Sequence, residues 1–542
     1  MRSANTGTQA VVDGRPEAER VDRRVRWLNE RPHLAVACVL ILAAAFRLQG
    51  VSQPYVDKYA WRQADTASIA EAFAAGSWNI FLPQVRWGGP GPNYIGAEFQ
   101  LVSYLAALGY RVFGVEPWIG RAVSIAFGLW GVFALYHLVR RVWDHSRAIA
   151  SAAVMAVLPG AVFTERSFLP DGPMTALMTT SLWMLVAFGQ TERRRYLGAA
   201  ALSGALGCLT KVPGGILVIP AAYALVALLG ARLCDRRLQL RLVAAALTAA
   251  LPILLYYLWA RHVAISNPPY HFTGEGKFLW HDGIAAWLEQ GYFLSDLWSI
   301  VAAKGGYWGY GFIALAGAGL LMSARLKGLS ASAWLFHFWL LAMAVRYVIE
   351  AEHLIADPYN LHLFHVPVAA FAGHALVSLG TLRFTWSRRG VFLAGLIFTA
   401  AAAEAQLQSR HLYEDSYREH RMLGQTLAAM SAPGDLVASA GPEPVVLYFS
   451  RRNGWLFPVA EELPGSGSPS QGSWDHGAAD LAQLRELRAR GARWLAVPAW
   501  NGYTGASGEE FLRRTYPALY EGILRDFEVV HSSDAGLVLR AR

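Results

Sequence analysis

Charge is what this 542-residue chain has least of: Asp, Glu, Lys and Arg make up 16% of it, against about 25% in an ordinary soluble domain. The shortage is uneven. Between Pro32 and Ala403 charge-free runs of 14 to 25 residues recur, and beyond them the composition is ordinary. Runs of roughly 17–25 apolar residues are what a helix needs to cross a bilayer's hydrocarbon core, so a wholly soluble globule is excluded. There are only 3 cysteines, Cys38, Cys208 and Cys234, with no pairing or metal-ligand spacing, which excludes a disulfide scaffold and a cysteine metal site. No H-E-x-x-H occurs and no phosphate-binding glycine motif opens a helix, which removes two common signatures of soluble catalysis. Nothing in the sequence asks for a cofactor; a divalent cation is compatible with the sequence but not indicated by it.

Eleven apolar runs are present: 32–46, 122–139, 148–164, 172–191, 196–210, 212–231, 242–260, 305–324, 328–345, 358–382 and 390–403. The net charge of +9 is concentrated in their connections. Arg140, Arg141 and Arg147 follow the second run; Arg193, Arg194 and Arg195 the fourth; Arg232, Arg236, Arg237 and Arg241 the sixth; Arg325 and Lys327 the eighth; Arg383, Arg388 and Arg389 the tenth. With the arginine-rich residues 1–31, expected to be a disordered basic cytosolic tail, this alternation is a positive-inside pattern. It predicts eleven spans, a cytoplasmic N-terminus and an external C-terminal part, in a bacterial cytoplasmic membrane. The excess of positive charge therefore points to membrane lipids as partners, with no nucleic acid. The 12-residue run Phe99–Tyr110 breaks the parity if counted as a span, so it is read as a helix lying at the membrane surface. Long external loops at 47–117 and 261–304 follow from this reading, and long loops commonly carry function.

Residues 404–542 read as a small α/β domain. Its expected strands are Leu436–Ala440, Val445–Phe449, Trp494–Pro498, Glu528–His531 and Leu537–Arg540, with helices at Arg410–Met430 and Leu481–Arg490 and a Gly/Ser/Pro linker at Leu463–Gly472.

The external turns gather acids with bases. The first holds Asp57, Lys58, Arg62, Asp65, Arg86 and Glu98; the second Glu165, Arg166 and Asp171; the third Lys211; the fifth Arg346, Glu350, Glu352, His353 and Asp357, with His362 and His365 close behind. Single residues have plain alternatives. Arg62 and Lys211 are placed to snorkel toward lipid phosphates, Asp171-Gly-Pro suits a helix start, and Asp65 suits a cap. His362 and His365 share a helix face without further ligands, which does not make a metal site. The convergence of four turns at one membrane face argues for a site all the same.

The order of several short motifs supplies a resemblance. Trp61-Arg-Gln-Ala-Asp65, Gly76-Ser-Trp78 and Gly96-Ala-Glu98-Phe resemble the first external loop of GT-C membrane glycosyltransferases, in the branch of bacterial protein O-mannosyltransferases and aminoarabinose lipid A transferases (families 39 and 83). Phe113-Gly114, Gly120-Arg121-Ala, Arg140-Arg141-Val-Trp, Phe168-Leu-Pro-Asp171, Leu209-Thr-Lys211 and Pro358-Tyr-Asn-Leu-His362 through His365-Val-Pro367 follow in the family's order, over about residues 33–400. Two positions depart from it: Asp65 is followed by Thr66 where many members have a second acid, and Glu98-Phe99 stands where many carry Lys-Pro. The resemblance implies a helical GT-C catalytic bundle at 32–403 that moves a sugar from a polyprenyl phosphate to a glycan, lipid or protein acceptor. It implies Asp65 as catalytic base, with Asp57 its rival, and Arg62, Glu98, Arg166, Asp171, Lys211, Arg346, His362 and His365 as donor-phosphate or substrate residues. A polyprenyl-linked polysaccharide polymerase or ligase, a transporter and a non-catalytic assembly protein are the alternatives. Against a transporter stands the placement of charge at span ends, with no repeat between the halves.

Overall fold

A computed structural model describes residues 31–267, 307–381, 388–441, 443–457, 477–499 and 508–542. The basic N-terminal segment, most of the 261–304 loop and the 463–472 linker lie outside the described residues, as do the side chains of Glu352 and His353.

Each of the eleven apolar runs carries a helix. In chain order the bundle comprises α1 (Pro32–Arg47), α4 (Pro117–Val142), α5 (His145–Val157), α6 (Pro159–Arg166), α7 (Asp171–Thr191), α8 (Arg194–Thr210), α9 (Val218–Leu229), α10 (Arg236–Ser266), α11 (Tyr310–Leu321), α12 (Leu335–Ala356), α13 (His362–Gly380) and α14 (Arg388–Gln408). Their ends follow local chemistry. Proline, which has no N–H to lose, occupies the first turn of α1, α4 and α6. Asp144 caps α5 by accepting from the Arg147 amide at 2.8 Å. Among the described residues, five helical stretches are by length and apolarity fit to cross a membrane, or six if the bent pair α5–α6 is one span. The run 148–164 is thus not one straight helix: it bends by 62° at Leu158–Pro159, where proline removes a ladder hydrogen bond. On α10, Leu240, Leu247, Leu251 and Leu258 are exposed, a face costly in water and suited to lipid.

The first loop contains α2 (Ala60–Ala74), a short hairpin of β1 (Gln84–Val85) and β2 (Asn93–Tyr94), and α3 (Leu101–Phe113). Helix α3 is the surface helix of the sequence reading: Val102, Ala106 and Tyr110 are buried while Leu105, Leu108 and Val112 are exposed. Ala60, Ala64 and Ala67 on α2 pack with Tyr55, Tyr110 and Phe168, small side chains allowing the helix to lie close against the bundle. Gly120 permits the same approach from α4, since a Cβ there would stand 2.5 Å from the Phe168 ring and 2.6 Å from the Tyr55 hydroxyl.

After α15 (Arg418–Met430) comes a five-stranded sheet of order β4-β3-β5-β7-β6, formed by β3 (Leu436–Ala440), β4 (Gly454–Phe457), β5 (Ala492–Pro498), β6 (Phe527–Ser533) and β7 (Gly536–Ala541). The first three strands are mutually parallel and β7 is antiparallel to both β5 and β6. Helices α16 (Val445–Ser450), α17 (Gly477–Ala489), α18 (Gly508–Thr515) and α19 (Pro517–Asp526) complete it. Two expectations are corrected. Val445–Phe449 is helix; its run is almost wholly buried, as in strands β3 and β4, and a short buried apolar run does not tell helix from strand by periodicity. Gly454–Phe457, unrecognised in the sequence, is the edge strand β4. The amphipathic stretch 410–430 is also divided, a 3₁₀ turn at Ser409–Tyr413 preceding α15.

Candidate active site

Helix α2 begins at Tyr59, which adopts a left-handed backbone (φ 64°, ψ 30°) and packs edge-on against Tyr359 at 4.8 Å. That start directs α2 so that Arg62 and Asp65, three residues apart and on one face, are both buried. Arg62 pairs with Glu98, which lies just before α3. One Asp65 oxygen accepts from the Trp87 indole N–H at 3.0 Å. Burial pushes the Asp65 carboxyl up to about 6, against the opposing pull of the Arg62 charge and the indole N–H. Glu98 is the reverse case: burial would raise it, but Arg62 chiefly, with Lys211 adding to the pull, holds it below the usual carboxylate range.

Lys211, at the end of α8, reaches the Asp171 carboxylate at 2.7 Å and the Asn360 amide oxygen at 2.7 Å. Its ammonium sits 4.8 Å from the centre of the Tyr359 ring, a cation–π distance. Tyr359 is in turn within electrostatic reach of Arg62. Arg346 on α12 pairs with Glu350 at 2.8 Å and donates to the Asn360 carbonyl at 2.7 Å. Lys211 and Arg346 thus meet at Asn360, and the Arg62–Glu98 pair lies within electrostatic reach of Asp65, Tyr359 and Lys211, the groups being drawn from separate turns of the sequence. The chemistry is specific: an acid with raised proton affinity beside the Arg62 cation, with Lys211 and Arg346 in the adjoining group. One oxygen of Glu98 and one of Asp171 are buried without a hydrogen-bond partner, so acceptor capacity is left over within the cluster.

The other named residues form separate constellations. Asp57 is fully buried; one of its oxygens accepts from both Arg121 and Arg166 at 3.0 Å and the other from Gln63 at 2.6 Å. Arg166 also bonds the Gly50 carbonyl at 3.0 Å. The structure thus gives Arg166 to the clamp on Asp57 and not to the Arg62–Lys211 cluster. His362 lies 3.2 Å from Glu165 and 2.9 Å from the His365 Nδ1, while Glu165 is held by Arg47 at 2.7 Å. This string fastens α1, α6 and α13 together inside the bundle and likewise stands apart from Asp65. Among the described residues, no three His, Cys, Asp or Glu side chains converge as a metal set.

Three participants escaped the sequence reading. Tyr359 and Asn360 were visible only as part of an aromatic-proline motif. Glu443 follows β3 and faces the first loop: its Oε1 accepts from the Tyr417 hydroxyl at 2.7 Å, and burial pushes its carboxyl up to about 7. An isolated Glu between two prolines carries no sequence signal.

Fold and site together define a polytopic helical membrane protein with an acid and several cations collected at one end of its bundle. Residues 100–256 match the family described as dolichyl-phosphate-mannose-protein mannosyltransferase. The undecaprenyl phosphate-alpha-4-amino-4-deoxy-L-arabinose arabinosyl transferase of Pseudomonas aeruginosa is 26% identical over 367 residues, covering 63% of this chain. The match spans 62% of that relative's length, less than two thirds. Among solved structures, ArnT from Cupriavidus metallidurans bound to undecaprenyl phosphate superposes with a TM-score of 0.59 at 13% identity, covering 93% of this chain and 97% of that one. The oligosaccharyltransferase AglB from Archaeoglobus fulgidus, in complex with an inhibitory peptide and a dolichol-phosphate, gives 0.60 at 14% identity, covering 95% and 75%. The chain has the fold of the GT-C superfamily of membrane glycosyltransferases.

Proposed function

We propose that this protein transfers a sugar from a polyprenyl phosphate to an acceptor at the outer face of a bacterial cytoplasmic membrane. The observation that supports the reading is the buried Asp65 carboxyl on one face of α2 with Arg62, whose partner Glu98 lies within electrostatic reach of Lys211 at the end of α8, in a GT-C fold. Asp65 takes the proton from the acceptor's nucleophilic group as that group attacks the anomeric carbon. Arg62 and Lys211, with Arg346 behind them, stabilise the charge gathering on the departing phosphate. Their present partners, Glu98, Asp171 and Glu350, hold the three cations in place until the donor phosphate competes for them. The similar structures of ArnT bound to undecaprenyl phosphate and of AglB with a dolichol-phosphate support a lipid-linked donor. A transporter is less well supported, because Arg62, Lys211 and Arg346 are already ion-paired.

The experiment is a binding titration of purified protein with undecaprenyl phosphate. Lys211→Gln, which keeps a donor for Asp171 while losing the charge, is expected to weaken binding about 10- to 100-fold, the worth of one charge-assisted hydrogen bond. Binding unaltered by both Lys211→Gln and Arg62→Gln would place the phosphate elsewhere.

The reading also requires the loops to face outward. Reporter fusions after Glu192 and after Glu404 are expected to give cytoplasmic and external signals respectively. The reverse pair would put the acid cluster on the wrong side of the membrane for this reaction.

A further inference from the structure

The first loop is stitched to the edge of the C-terminal sheet. The Gly88 and Gly89 amides both donate to the Gly454 carbonyl at 2.8 Å, and the Gly454 amide donates to the Arg86 carbonyl at 3.0 Å. Asn453 adds a side-chain bond to the Pro90 carbonyl at 3.1 Å. Trp87 therefore sits at the centre of a short graft of the loop onto β4. Its ring is buried in one apolar cluster with Leu423, Val437, Leu456, Trp494 and Val538 of the C-terminal part and with Ile69 and Phe73 of α2. Glycine is needed on both sides of the seam. At Gly89 the backbone has φ of +129° and a Cβ would touch the Trp455 ring at 3.4 Å; at Gly454 a Cβ would stand 1.8 Å from the Val437 carbonyl. The indole whose position the C-terminal sheet fixes is the one whose N–H reaches back to Asp65 at 3.0 Å.

We infer that Trp87 is a positioning residue for the reaction, and that the C-terminal domain serves turnover by holding the Trp87 indole against the Asp65 carboxylate. The inference rests on Asp65 being the base. A buried aspartate with one fixed N–H donor keeps one oxygen oriented, leaving the other for the acceptor's proton. The groups acting on Asp65 are few: Arg62 from its own helix, Glu98 from the segment before α3, and the indole itself. Glu71, the next acid along α2, is paired with Arg86. Deleting the indole N–H removes a donor that favours the ionised carboxylate.

The test is the pH dependence of turnover in Trp87→Phe, which keeps an aromatic body in the same cluster. The acidic limb of the profile is expected to move alkaline by about one pH unit. Turnover should then fall by about tenfold on the acidic side of the limb and recover above it, with donor binding unchanged. The thermal midpoint of the variant, measured alongside, separates this from unfolding. A limb that stays in place, with activity merely scaled down or unaltered, would overturn the inference. Asp65→Asn distinguishes the two levels: if it is inactive while Trp87→Phe keeps the wild-type limb, only the positioning role fails. If Asp65→Asn is active, the assignment of the base itself fails.

Discussion

Asp65→Asn is expected to lower turnover by two to four powers of ten, the usual range for a lost general base, while donor binding changes little. Asparagine keeps the size of the side chain and can still accept from the Trp87 indole, so the geometry survives and only proton acceptance is lost. The wild-type enzyme should show the corresponding pH profile. Since burial places the Asp65 carboxyl at about 6, activity falls as pH drops through 6 and is level above about 7. Stability runs the other way. A carboxyl held above its unfolded value of 3.8 binds its proton more tightly in the folded protein. Stability is therefore lost as pH rises from about 4 to 6, and the loss is fully present above that. Asp65→Asn removes this penalty at neutral pH, so the inactive variant should melt no lower than wild type. An Asp65→Asn protein with wild-type turnover would return Asp65 to the role of a simple α2 residue.

Asp57→Asn is expected to do the opposite. Among the described residues, Asp57 is the carboxylate that contacts the buried Arg121 and Arg166 guanidiniums, both fully enclosed. Removing one member of a buried ion pair typically costs about 3–5 kcal/mol, because the remaining charge is left without compensation. Here two cations would be so stranded. The variant should show a large fall in thermal midpoint and in yield of folded protein. The fraction that folds should retain turnover within a few-fold of wild type. A stable but inactive Asp57→Asn protein would exchange the roles of the two aspartates.

These two residues also show how far sequence reaches. Asp57 and Asp65 lie eight positions apart in one loop, both acidic and both near arginines, and pattern alone offers no way to rank them. What separates them is the partners brought by tertiary contact. Arg121 and Arg166 come from helices 64 and 109 residues away to occupy Asp57, whereas Asp65 meets the indole of Trp87 and the neighbouring fields of Arg62 and Glu98. The same limit explains Arg166, His362 and His365. Each is a charged or titratable residue at a helix end, indistinguishable by position from Lys211, yet each is bound into an internal clamp. Lys211 was legible because a lysine before a proline–glycine turn is exposed to few local partners. Its true neighbours, Tyr359 and Asn360, lie 148 and 149 positions away.

The bundle itself was legible because hydrophobic runs are a local property. Charge-free stretches named every helix, but not the 62° break at Pro159 or the short length of α11, 12 residues, so the count of runs exceeds the count of helices fit to span. In the C-terminal part the strands found were short apolar runs, β3, β5 and β7 being buried along nearly their whole length. Val445–Ser450 was misread because a short apolar segment buried on all sides has the same composition as strand or helix. Gly454–Phe457 was missed because its value lies in Gly454, a residue chosen for close contact with β3 and with the first loop.

The central claim, sugar transfer from a polyprenyl phosphate with Asp65 as base, is tested most directly by mass spectrometry of cells carrying the wild-type chain or Asp65→Asn at equal expression. Lipid extracts and envelope glycans, glycolipids and glycoproteins would be compared side by side. The account predicts that Asp65→Asn cells accumulate one polyprenyl-phosphate-linked sugar and lose that same sugar from one class of envelope acceptor. Identical lipid-linked sugars and identical envelope glycosylation in the two strains would contradict it.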